Sequence, residues 1–88
     1  MNDFLMKQSG FYEADDFYVF VSDTKRDVVL CQYEINDADV YVGDDYVKIA
    51  GEANREVLLP LKAKFIVNDK TSASFEVEDD IEITLTWD

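Results

Sequence analysis

The side chains with chemical potential in this chain are almost all carboxylates. Aspartate and glutamate number 20 against 8 lysines and arginines, there is no histidine, and cysteine occurs once. Without histidine there is no ordinary general base near neutral pH, no Ser-His-Asp arrangement and no imidazole ligand. Cys31 alone builds neither a thiolate zinc site nor a redox pair. It alternates with Val29 and Tyr33, so a packed thiol is expected, with nothing nearby to activate it. The chain has 3 glycines and no Gly-rich phosphate loop.

Carboxylates do cluster, at Asp15-Asp16, Asp37 with Asp39, Asp44-Asp45 and Asp79-Asp80. Two carboxylates suffice for glycoside hydrolysis, but 88 residues leave little room for a substrate cleft. The segment Asn36–Tyr41 puts a tyrosine where an EF-hand loop needs its third oxygen ligand. The expectation is therefore a non-enzymatic protein with no cofactor and no metal.

The longest ordered set of carboxylates lies near the C-terminus. From Ala73 to Trp87 the odd positions are apolar except Asp79, and the even positions are polar, including Glu76, Glu78, Asp80 and Glu82. Strand side chains alternate between faces, so one continuous strand would carry these four as a row about 20 Å long. A second long alternation runs from Val57 to Val67, with Lys62 and Lys64 on its polar side. A hairpin closed by Asn68–Ser72 would set Val67 opposite Ala73, with paired numbers summing to 140. Phe65 would then face Phe75, Leu59 would face Ile81 and Val57 would face Ile83. Lys64 and Lys62 would meet Glu76 and Glu78, leaving Asp80 and Glu82 uncompensated. Pro60 cannot donate to a ladder, which marks an edge or a bulge. A bulge at Pro60 and Asp79-Asp80 would turn Asp79 out of the core.

The elements before these are also strands. Phe17, Val19 and Val21 share one face of a strand over Asp16–Val21, and Val28–Ile35 follows after a polar turn at Ser22–Asp27. In the second strand Val29, Cys31, Tyr33 and Ile35 point inward. Asn36–Asp39 reads as a further turn. Val40–Val42 and Tyr46–Ile49 flank a hairpin tip at Gly43-Asp44-Asp45, and Gly51–Asn54 is a loop. No helix of useful length is indicated. The whole is expected to be all-β, one domain over residues 1–88, a small antiparallel sandwich or barrel of about five to seven strands built mostly from sequential hairpins.

Net charge is -12, spread through the chain rather than collected in a tail. That argues against binding nucleic acid or an anionic membrane through a basic face, and for a basic protein surface as partner. Tyr12, Tyr18, Tyr41 and Tyr46 fall on faces expected to be exposed or half covered, and tyrosine suits interfaces. The partner-binding residues expected are Tyr41, Asp44, Asp45 and Tyr46 at the hairpin tip, with Glu76, Glu78, Asp80 and Glu82. Carboxylates on a rigid sheet can stand in for backbone phosphates. The function expected is thus an acidic protein-binding inhibitor that mimics nucleic acid, of the anti-restriction or anti-CRISPR kind made by phages. The alternative is a small assembly subunit of a virion or other complex, signalled by exposed apolar strand faces. A halophilic host would also select acidic surfaces. Met1–Gly10 lacks the basic start and apolar centre of a signal peptide, and no apolar run has spanning length; a cytoplasmic protein is expected.

Overall fold

A computed structural model describes residues 10–61, 66–69 and 71–88 of the chain. The strands are β1 (Gly10–Asp23), β2 (Val28–Val42), β3 (Tyr46–Ala50), β4 (Glu56–Pro60), β5 (Ile66–Asp69), β6 (Ser72–Glu78) and β7 (Ile81–Trp87), with one 3-10 turn at Glu52–Asn54. All pair antiparallel in one seven-stranded sheet of order β4-β3-β2-β1-β7-β6-β5. The expected all-β architecture of sequential hairpins is therefore present.

The connectivity requires the sheet to curl. β4 and β5 are successive in the chain yet form opposite edges. Laid flat, the outer strands of seven would lie about 29 Å apart at about 4.8 Å per gap. The link from Pro60 to Ile66 can span at most about 22 Å at about 3.6 Å per residue. The sheet is therefore curled, with the β1–β7 pair at its middle and β4 and β5 as its two edges. The molecule measures 32 × 27 × 22 Å.

The inner face holds Phe17, Val19, Ile35, Val40, Val47, Ile49, Phe75 and Leu85, all essentially inaccessible to water. Phe17 lies opposite Trp87, and their rings stack at 6.0 Å. Burial of such side chains contributes about 1.5–3 kcal/mol each, the main favourable contribution to the fold.

Several local expectations are corrected. The stretch Ala73–Trp87 is a hairpin, β6 and β7, turning at Asp79-Asp80 where Asp80 takes φ 66. Asp79 is exposed there, in a turn rather than a bulge. The expected row Glu76 to Glu82 is folded back on itself, and Glu76 now faces Glu82. The stretch from Val57 onward is not one strand either. β4 ends at Pro60 and pairs with β3, so Val57 faces Ile49 and Leu59 faces Val47, not Ile83 and Ile81. Pro60 sits on an edge strand, where a missing donor costs nothing. Val67 does face Ala73, as the hairpin rule requires. Phe65, Lys62 and Lys64 lie outside the described residues.

Asn36–Asp39 is not a turn: β2 continues through it without a break. Tyr12 is buried rather than exposed. Val29, Cys31 and Tyr33 are exposed, so the packed-thiol expectation for Cys31 does not hold. Cys31 and Tyr33 pair with Val21 and Val19 and share their side of the sheet, while Val29 pairs with Ser22 after a register shift.

Candidate functional site

The site begins with a change of phase. β1 buries Tyr12 and Ala14, then Phe17 and Val19, so its inward set moves from even to odd positions across Asp15-Asp16. β2 buries Ile35, then Ala38, Val40 and Val42, moving from odd to even across Asn36-Asp37. The register is the same on both sides of the slip, with Asp16 opposite Asn36 and Ala14 opposite Ala38. Both strands take up the irregularity together, and Asp37 adopts φ 49 to do so. Aspartate tolerates that left-handed conformation better than most residues. Such irregularities bend a strand and re-aim its side chains.

The bend gathers carboxylates. A concavity of about 270 Å³ opens there, lined by Glu13, Asp15, Asp37, Asp39 and Asp88 around a floor of Ala14 and Ala38. The C-terminus is fixed in place by the Asp88 N–H, which donates to the Asp16 carbonyl at 3.0 Å. Glu13 lies directly opposite Asp39 in the ladder. Like charges so placed oppose folding. The Glu52 carboxyl hydrogen-bonds Asp37, and this contact, followed by the Asp37 charge, holds its pKa above the ordinary glutamate range. Among the described residues no cation lines the concavity, and no set of three or more acidic, cysteine or histidine side chains is grouped to hold a metal ion.

The side chains of Arg26, Lys48 and Arg55 have their partners elsewhere. Asp23 closes the β1–β2 turn: its Oδ1 accepts from the Lys25 and Arg26 N–H groups, both at 3.1 Å, and its Oδ2 from Arg26 Nε at 2.7 Å. Those bonds, the Arg26 side chain foremost, hold the Asp23 pKa below the ordinary aspartate range. Lys48 pairs with Glu56 at 3.7 Å and lies 5.8 Å from the Tyr41 ring centroid. Arg55 donates to the Glu34 carbonyl at 2.9 Å.

The residues expected from sequence to bind a partner are all at the surface but do not form one site. Tyr41, Asp44, Asp45 and Tyr46 surround the β2–β3 tip, level with the start of β1: Tyr41 faces Phe11. The Tyr41 and Phe11 rings pack at 4.9 Å. Glu76, Glu78, Asp80 and Glu82 belong to the β6–β7 hairpin, level with the end of β1, where Thr24 N–H donates to the Asp80 carbonyl at 2.8 Å. The two groups thus occupy opposite ends of β1, with the acidic concavity between them. The residues of that concavity were not singled out from sequence as partner-binding. Their signal was the phase change of the apolar pattern at Asp15-Asp16 and Asn36-Asp37.

No protein family, curated protein or solved structure matches this chain.

Proposed function

We propose that this protein is a non-enzymatic acidic module that binds a basic surface of another protein, and that the β1–β2 bend is the centre of its contact face. The observation that carries this reading is the concavity of Glu13, Asp15, Asp37, Asp39 and Asp88, which no cation lines among the described residues. Carboxylates collected at a fixed bend, at a cost in mutual repulsion, form a preorganised acceptor for lysine and arginine side chains. The acidic tips Asp44-Asp45 and Glu76–Glu82 extend the same sign of charge toward both ends of β1.

The finer form of the proposal is nucleic-acid mimicry. A partner that normally grips phosphates with lysine and arginine would accept carboxylates through the same donors. An inhibitor of a nucleic-acid enzyme, such as a phage protein directed against restriction or CRISPR systems, would act this way. Binding should be fast at low salt, weaken as salt rises, and be displaced by DNA.

The test is affinity capture from host lysate on the immobilised protein and on an Asp15→Lys/Asp39→Lys variant, eluted with a salt gradient. A basic nucleic-acid-binding enzyme retained by the first and lost by the second supports the reading. Partners that ignore salt, competing DNA and the substitutions contradict it. A second reading, a small assembly subunit, is favoured by one observation: the exposed apolar stretch at the start of β2.

A further inference from the structure

Among the described residues the first half of β2 is an open sheet edge: β3 pairs only with Asp39–Val42, so Val28–Glu34 is paired on its β1 side alone. Glu34 shows which backbone groups face out, because its carbonyl accepts from Arg55 rather than from β1. In an antiparallel strand the N–H and C=O of one residue point the same way and alternate along the chain. The register with β1 is regular from Cys31 to Ile35, so Gln32 also directs its N–H and C=O to the open side. The stretch Val28–Tyr33 carries no charged residue, and Val28, Val29, Leu30 and Tyr33 are 43–58% exposed. Natural edges are usually blunted by charge, proline or a bulge. Here the single such device is the register irregularity at Leu30.

We infer that this edge pairs with the same edge of a second copy, antiparallel about a two-fold axis at Gln32. Self-pairing in this sense is closed and uses one surface twice. The two Gln32 residues exchange both of their backbone hydrogen bonds, and paired residue numbers sum to 64. Cys31 of each copy then faces Tyr33 of the other. Charge favours the antiparallel sense. The turn before the open edge is neutral, with Lys25 and Arg26 balanced by Asp23 and Asp27, and Glu34, Asp37 and Asp39 follow the edge, so each acidic end meets the other copy's neutral end. A parallel arrangement would set the two acidic ends together. The overall charge of -12 on each copy opposes association, so added salt shifts the equilibrium toward the pair. Binding to a basic partner responds to salt in the opposite direction, which separates this inference from the proposed function.

The register gives the test. Residues facing each other without mutual hydrogen bonds in an antiparallel pair have Cα atoms about 4.5 Å apart, within disulfide range. Under mild oxidation, Tyr33→Cys should therefore yield a covalent dimer joined through position 31 of one copy and position 33 of the other. Within one chain these positions stand about 6.6 Å apart, at the far end of the disulfide range, with side chains parallel rather than directed at each other, a poor geometry for closure. Sedimentation of the unmodified protein across a wide concentration range, at physiological and at high salt, should show the mass doubling. Gln32→Pro removes an outward N–H that β1 does not use and should abolish both the doubled mass and the crosslink. A chain that stays monomeric at both salt levels and gives no crosslinked Tyr33→Cys dimer overturns the inference. A doubled mass unaffected by Gln32→Pro, without the crosslink, does so too.

Discussion

Asp37 carries two loads at once, a left-handed backbone and a hydrogen bond to Glu52. A carboxyl whose pKa is raised on folding holds its proton more tightly in the folded state. Its contribution to stability is complete below the ordinary glutamate pKa and is lost as pH rises through the elevated one. Asp37→Asn should return the Glu52 pKa toward the ordinary range and raise Tm at neutral pH, since asparagine also accepts φ near 49. NMR titration of the Glu52 side chain and thermal melts at acid and neutral pH check this; an unmoved Glu52 titration would refute it. Asp23 behaves with the opposite sign. Its pKa is depressed by Arg26, so its contribution is present above the ordinary aspartate range and is lost as pH falls through the depressed value. Asp23→Asn should therefore lower Tm at neutral pH and leave little difference in strong acid. The pairing of Glu76 with Glu82 is a third residue-level expectation: Glu82→Lys should stabilise the domain by about 0.2–1 kcal/mol in chemical denaturation. Conversely, a destabilised variant would mean that the two carboxylates do not repel across the hairpin.

At the scale of elements, two close approaches hold the turns. A Cβ at Gly43 would run into the Tyr46 ring, and one at Gly51 would run into the Ile35 side chain and stand 2.6 Å from the Asn36 carbonyl oxygen. The first can be relieved by moving a half-exposed side chain, the second only by moving backbone. Gly51→Ala should therefore be the more destabilising, and Tyr46→Ala should rescue Gly43→Ala but not Gly51→Ala. Equal costs with no rescue would refute this account of the two turns. In the core, Phe75→Ala should cost about 3–5 kcal/mol. Most elements were legible from alternation and turn residues. The all-β class, the Gly43–Asp45 tip, the Val67–Ala73 pairing and the edge position of Pro60 all follow from local pattern. The β6–β7 hairpin was not legible for a definite reason. Phe75 pairs with Ile83 and Ala73 with Leu85, odd with odd, so a strand folded on itself keeps the same parity as one continuous strand. The Asn36–Asp39 error has a similar origin. Polar residues interrupting an apolar alternation look like a turn, although here β1 and β2 slip phase together and keep their register.

For the whole molecule, the decisive quantity is where charge of each sign lies. Composition alone yielded the acidity, but not its distribution. The row expected along one strand became a hairpin at one end of β1, the tyrosine-flanked tip lies at the other, and the bend between them collects Glu13, Asp15, Asp37, Asp39 and Asp88. That grouping depends on long-range pairing of β1 with β2 and on the docking of the C-terminus at Asp16, neither of which local sequence encodes. No helix among the described residues is long and apolar enough to cross a membrane.

The central claim is that the β1–β2 bend is an acceptor for a basic, nucleic-acid-gripping surface. The measurement that reaches it most directly is capture from host lysate on three surfaces: the unmodified protein, Asp15→Lys/Asp39→Lys at the bend, and Asp44→Lys/Asp45→Lys at the tip. Each is eluted by salt and, separately, by DNA. The account predicts a basic nucleic-acid enzyme that salt and DNA both release, that the bend variant fails to retain, and that the tip variant holds only somewhat more weakly. A partner held equally by the bend variant, or indifferent to both salt and DNA, would contradict it.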